Sequence, residues 1–212
     1  MGVPHELGLR ERKKQEMRAL LARTAIRLFA ERGFDQVTVA DIASDANVSE
    51  KTVFNYFATK EDLMLSGRAE SEADLIRAVR ERGPGQSVLS AVRAHVLVVA
   101  ERIDALPAEK RAAFRKVVKS TPAVQARLRQ MSLAHEEELA RVLAKELGTA
   151  GSDPVARVVA SAMGLLGRLG TCGITGWPDG HDRSHAENVA NIHLAFDLFE
   201  RGLGHYGVRG KR

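Results

Sequence analysis

The tightest constraint on this chain is a connection of three residues. Two amphipathic helical patterns meet across Asn47-Val48-Ser49. Thr38 opens the first, and Asp41 stands three residues on, the spacing of a capping box. Val39, Ile42, Ala43 and Ala46 supply its apolar face. Asn47 tolerates the left-handed backbone that a tight turn needs. Ser49 caps the second helix, a short one over Glu50–Phe57. Two helices joined this closely are a helix-turn-helix signal.

The flanks extend the pattern. Met1–Arg10 carries Gly2, Pro4 and Gly8 and reads as a loose arm. From about Glu11, Met17, Leu20, Leu21, Thr24, Ala25, Leu28 and Phe29 recur at helical steps, and Gly33 ends that helix. Thr59 with Asp62 caps a fourth helix, expected to run to about Arg82. Gly83-Pro84-Gly85 breaks the chain. Helices are then expected at Ser87–Asp104, Pro107–Lys119, Thr121–Leu147, Pro154–Gly170 and Glu187–Leu203, with a loop over Thr171–Ser184 and a frayed tail beyond. No strand is expected. Aromatics are 5% of the chain while hydrophobic residues are 44%, and this balance favours helices over sheets. The expected organisation is an N-terminal domain over 1–64 and a larger helical domain over 65–212.

The stretch Thr38–Leu63, TVADIASDANVSEKTVFNYFATKEDL, resembles the TetR family of bacterial transcription regulators. The family pattern is roughly T-x-x-x-I-A-x-x-A-G-V-S-x-x-T-L-Y-x-H-F-x-x-K-E-x-L. Thr38, Ile42, Ala43, Ala46, Val48, Ser49, Thr52, Phe57, Lys60, Glu61 and Leu63 fall in place, preceded by Ala25, Phe29, Gly33 and Phe34. Three positions depart: Asn47 stands for the turn glycine, Phe54 for a tyrosine and Tyr56 for a histidine. The resemblance implies an all-α protein whose C-terminal domain dimerises and binds a small effector.

The residues carry a DNA-binding reading of their own. The second helix of such a motif lies in the major groove with its N-terminal residues at base edges. Ser49, Glu50, Lys51, Thr52 and Asn55 occupy that end or the outer face of the third helix. Asn bonds adenine in a bidentate way, and Lys donates to guanine. Val53, Phe54 and Phe57 are expected in the core. Tyr56 is a candidate phosphate contact, as are Lys60 and Thr38, each at a helix N-terminus. Over Met1–Met64, ten Lys and Arg balance ten Asp and Glu, but Arg10–Arg32 holds eight basic and three acidic residues. That helix could lie along the DNA backbone, although a solvated face has the same composition.

In the larger domain, Ala156, Ala160, Gly164 and Gly167 form a small-residue face, and Val189, Ile192, Phe196 and Phe199 an apolar stripe. With the resemblance, these are the candidates for a four-helix dimer interface. Periodicity alone fits packing inside one subunit equally well. Candidate pocket residues are Arg93, His95, Arg115, Met131, His135, Met163 and Trp177. Thr121–Leu147 also resembles the ligand domain of mycobacterial-type regulators that sense acyl-coenzyme A, which makes Arg115, Lys116, Arg127 and Arg129 candidate phosphate contacts.

Other chemistries find little support. Cys172 is the only cysteine, which excludes an internal disulfide framework and multi-cysteine metal sites. A redox role for Cys172 lacks any local sign of a lowered pKa. Asp179, His181, Asp182 and His185 read as surface residues rather than metal ligands. The glycines at 164, 167, 170, 173 and 176 do not make a dinucleotide fingerprint. No nucleophile stands in a catalytic context, so neither an enzyme nor a cofactor is expected. No apolar run approaches a membrane span, and no secretory signal opens the chain; a cytoplasmic location is the expectation. The reading is a homodimeric, effector-responsive repressor that binds double-stranded DNA at a palindromic operator. The rival is a sequence-tolerant architectural DNA binder, against which the balanced charge of residues 1–64 argues.

Overall fold

The helices entered at Thr38, Ser49, Thr59, Ser87, Asp153 and Ser184 begin where that side chain accepts from one of their first amide groups. The computed structural model describes residues 8–149, 153–175 and 184–202. The helices are α1 Leu9–Arg32, α2 Val39–Asp45, α3 Glu50–Tyr56, α4 Lys60–Met64, α5 Ser66–Arg80 and α6 Val88–Asp104. They continue with α7 Ala108–Ser120, α8 Pro122–Glu146, α9 Pro154–Gly167, α10 Cys172–Thr175 and α11 His185–Arg201. A 3-10 turn, Arg168–Thr171, joins α9 to α10. The fold is all-α, with no strand among the described residues.

Two apolar clusters organise the molecule. The first gathers Leu21, Ala25, Leu28 and Phe29 of α1 with Val37, Ile42, Val53, Phe57 and Leu63. The Phe29 and Phe34 rings lie 4.9 Å apart, which closes the loop after α1 onto its own helix. This cluster runs on into Val118 of α7 and Val124 of α8, so the N-terminal head is seated on the body through buried apolar contact. The second cluster joins α5, α6, α8, α9 and α11 through residues such as Val79, Val92, Leu139, Ala160 and Phe196.

Three expectations about elements change. The expected helix from Thr59 to Arg82 is broken at Leu65, whose φ of -97° and ψ of 12° leave the helical range. Leu63, Met64, Leu65 and Ser66 are all buried. Four successive residues span most of a helix's circumference, so a straight helix offers them no single core face. The helix from Pro154 ends at Gly167, short of the expected Gly170; a 3-10 turn replaces its last residues, and α10 stands at the start of the expected loop. At Gly170 a β-carbon would sit 2.9 Å from the Val96 carbonyl oxygen, and that closeness lets the turn pack on α6. The last helix starts earlier than expected because Ser184 and Glu187 form a capping box.

Candidate nucleic-acid interface

The turn between α2 and α3 is built by the backbone. Asn47 has φ of 55°, the one positive value outside glycine among the described residues. The Asn47 amide donates to the Ser44 carbonyl at 3.1 Å, and the Val48 amide to the Ala43 carbonyl at 2.9 Å. This paired closure is a Schellman motif with asparagine in the glycine position. It sets the angle at which α3 leaves α2.

Capping residues hold both helices. The Thr38 hydroxyl accepts from the Asp41 amide at 3.1 Å and donates to the Asp41 carboxylate at 2.6 Å. Hydrogen bonds from Thr38 hold that carboxyl below its usual range. The Ser49 hydroxyl accepts from the Thr52 amide at 3.1 Å and lies 2.9 Å from the Thr52 hydroxyl. Thr38, Ser49 and Thr52 therefore serve the helix ends first.

The face of α3 away from the core carries Glu50, Lys51, Phe54 and Asn55, all exposed. Phe54 corrects an expectation: it was assigned to the core and is 51% exposed. Val53 and Phe57, four residues apart, fill the inward arc and are 1% and 2% exposed. Phe54 lies about 100° around the helix from Val53 and falls outside that arc. The i, i+4 spacing of Val53 and Phe57 was the signal that could have found it.

Lys60 also corrects an expectation, and α1 holds the backbone of Tyr56. Tyr56 is half-buried and packs against the head cluster. Its carbonyl accepts from Arg18 Nη1 at 2.8 Å, while the Arg18 guanidinium sits 4.3 Å from the centre of the Phe57 ring. Arg18 thereby ties α1 to the last carbonyls of α3, a cation at a helix C-terminus. The Lys60 ammonium donates to the Phe34 and Val37 carbonyls at 3.0 and 3.1 Å. It also lies 4.3 Å from the centre of the Phe34 ring. Its side chain is turned inward and braces the loop between α1 and α2, not toward a phosphate.

The candidate effector residues do not converge. Met131 and His135 line a cavity of about 440 Å³ between the head and α5 and α8. The remaining described candidates lie elsewhere. Arg93 reaches His193 and Asp197, each at 2.8 Å. His95 Nε2 lies 3.2 Å from the Ser71 hydroxyl. Met163 is buried in the body core. Arg115 and Lys116 border a separate hollow on α7. Arg127 lines the same cavity as Met131 and His135 and pairs with Asp62 at 2.6 Å, apart from Arg115 and Lys116, so these proposed phosphate contacts form no common cradle. Trp177, Asp179, His181 and Asp182 lie outside the described residues, and His185 Nδ1 stands 3.6 Å from Asp104.

The candidate dimer residues are largely used inside one subunit. Ala156, Ala160, Gly164, Ile192 and Phe196 are buried without any partner chain. At Gly164 a β-carbon would meet Glu136 Cγ of α8 at 2.8 Å, so the small-residue face serves the contact between α8 and α9. Gly167, Val189 and Phe199 are partly exposed. The apolar surface these two helices leave outward is instead Val155, Val158 and Leu165 on α9 and Leu194 on α11. Val158 and Leu194 are 70% and 69% exposed. Cys172 is buried. No group of three His, Cys, Asp or Glu among the described residues could hold a metal ion. No helix among them is long and apolar enough to cross a membrane.

A capped helix-turn-helix that turns Glu50, Lys51, Phe54 and Asn55 outward, mounted on an all-helical body, is the arrangement of a DNA-binding regulator of transcription. Residues 21–66 match the bacterial regulatory proteins of the tetR family. The head thus resembles the DNA-binding domain of that family. It is 28% identical over 173 residues to the HTH-type transcriptional regulator TcmR of Streptomyces glaucescens, covering 79% of this chain and 76% of that protein. Its fold is shared with a structure assigned to the TetR-family regulators from Syntrophomonas wolfei. That match has a TM-score of 0.60 and 17% identity, over 91% of this chain and 99% of that one. The fold is also shared with Thermus thermophilus FadR, a TetR-family repressor solved with lauroyl-CoA. There the TM-score is 0.51 and identity 24%, over 92% of this chain and 97% of that one.

Proposed function

We propose that this protein is a homodimeric, effector-responsive repressor that reads a palindromic operator in cytoplasmic DNA. The observation that carries the reading is the outward row Glu50, Lys51, Phe54 and Asn55 on a helix capped by Ser49. Lys51 and Asn55 lie one turn apart and reach base edges together when α3 enters the major groove. Phe54 suits a thymine methyl group, which an apolar side chain can read. The head over 1–64 does the reading, and the body over 65–212 supplies the partner contact and the effector site.

The face Val155, Val158, Leu165 and Leu194 is the dimer surface in this reading. A two-fold axis there sets two α3 helices against half-sites about 34–36 Å apart. An effector acts by preferring a conformer in which that spacing no longer fits. A coupling of about 1–3 kcal/mol changes operator affinity about 5–150-fold.

The test is capture of sheared genomic DNA from the source organism by the purified protein at about 0.15 M salt, near physiological screening, followed by sequencing. A sharp two-fold motif supports the proposal. Retention without a motif supports an architectural binder instead. In the first case Asn55→Ala relaxes preference at one base position in each half-site; an equal loss on every sequence contradicts base reading.

A further inference from the structure

The four outward side chains of α3 are unevenly sorted. At about 100° per residue, their order around the helix axis is Glu50, Phe54, Lys51, Asn55. A carboxylate and a phenyl ring share one margin of the face, and an ammonium and an amide share the other. Glu50 and Phe54 are four residues apart, so their β-carbons are neighbours at about 5–6 Å. None of the four is engaged elsewhere: among the described residues they form no side-chain hydrogen bond, ion pair or ring contact.

Phe54 is 51% exposed although Val53 beside it is buried. The helix cannot roll to cover it. Val53 and Phe57 anchor the inward arc, the turn at Asn47 fixes where α3 starts, and Arg18 grips the Tyr56 carbonyl at its end. A phenyl ring held in water gains when an apolar surface covers it. Its neighbour Glu50 restricts what that surface is, because a carboxylate only accepts hydrogen bonds. In the major groove guanine shows two acceptors and thymine its O4 acceptor, and a carboxylate is repelled by both. Adenine shows its amino group next to the N7 acceptor, with no apolar edge for the ring. Cytosine shows an amino donor beside an apolar C5 edge.

We infer that Glu50 and Phe54 read as a pair: Glu50 accepts from a cytosine amino group, and Phe54 lies on a pyrimidine 5-methyl group beside it. Two sources supply that pattern, a cytosine stacked on a thymine or a single 5-methylcytosine. The inference rests on α3 being the recognition helix, as in the reading above. It adds that one margin of α3 demands cytosine and a methyl group, while Lys51 and Asn55 on the other margin suit guanine and adenine. A carboxylate on this face repels phosphates on every sequence, so what Glu50 adds is discrimination against the wrong bases.

The test uses the full chain and the operator recovered by genomic capture, synthesised with base analogues and measured by fluorescence polarisation. Each thymine in turn is replaced by deoxyuridine, which removes only the methyl group. Each cytosine in turn is replaced by 5-methylcytosine, which adds one. With a cytosine–thymine step, deoxyuridine at one position weakens binding about fourfold per half-site, the scale of one buried methyl group. With 5-methylcytosine as the source, deoxyuridine is silent and methylation of one cytosine tightens binding by the same factor. In either case the effect disappears in Phe54→Ala, whose helical circular dichroism is retained. Glu50→Ala binds random-sequence DNA more tightly, while its preference for the cytosine falls about tenfold. A wild-type protein indifferent to both analogues, or an effect that persists in Phe54→Ala, overturns the role of Phe54. An unchanged cytosine preference in Glu50→Ala overturns the pair. In those cases the operator is still bound and the regulator reading stands; capture without a motif defeats that reading and this one together.

Discussion

Replacing Lys60 by methionine separates a brace from a phosphate clamp. The substitution keeps the length and apolar stem of the side chain and removes the ammonium. In the structure that ammonium makes two hydrogen bonds to backbone carbonyls and sits over the Phe34 ring. Charged hydrogen bonds contribute about 1.5–3 kcal/mol each at best, and a partly exposed cation–π contact about 0.5–1. Fixing a lysine side chain costs about 2 kcal/mol in lost rotamers, and the half-buried site lets water replace part of what is removed. The net loss is then about 2 kcal/mol. For a chain of this size it lowers Tm by about 4–8 °C. The assays are thermal unfolding followed by circular dichroism, and operator affinity as a function of salt. A brace predicts the drop in Tm, with the slope of log Kd against log salt unchanged once the folded fraction is accounted for. A clamp predicts an unchanged Tm and a slope smaller by about 0.9 per phosphate contact. That second result would refute the inward placement of Lys60.

Three further perturbations test other parts of the structure. Asn47→Val puts a β-branched residue in the left-handed turn and is expected to cost about 1–2 kcal/mol in urea unfolding, whereas Asn47→Gly stays near neutral; equal midpoints for the two variants contradict the positive φ. Val158→Glu on the outward face of α9 is expected to convert the proposed dimer to a folded monomer in sedimentation analysis, and a persistent dimer moves the interface elsewhere. Burial pushes the imidazoles of His95 and His135 below their ordinary 6.5. The unfolded chain therefore takes up these protons first as pH falls, and their contribution to stability, complete above 6.5, is lost from there down toward the lower folded values. Replacing both histidines by leucine is expected to flatten the unfolding midpoint between pH 7 and 5; an unchanged slope argues against their burial.

The head was readable because its signals are local. A cap and its amide lie within three residues of each other, as at Thr38 and Asp41 or Ser49 and Thr52. The turn depends on one residue's own backbone, at Asn47. Such contacts survive without knowledge of what lies across the molecule. The order of the body helices followed for the same reason, since Ser87, Pro107, Pro122 and Pro154 mark their starts.

What each helix faces was not readable, because an apolar stripe does not name its partner. Ile192 and Phe196 could equally have met a second subunit; three-dimensional packing turns them into the body core and leaves Leu194 outward. Ala160 and Gly164 permit close approach, and the approach they permit is that of α8. The inward turn of Lys60 needs the carbonyls of Phe34 and Val37, more than twenty residues away in sequence. The space around His135 exists only because α1, α3, α5 and α8 converge on it. The amino-acid sequence alone therefore determined where the capped helices of the head begin and how α2 turns into α3, because these depend on neighbours along the chain. The choice between core, partner and cavity rests on contacts between residues far apart in the chain, and those came into being only when the helices packed.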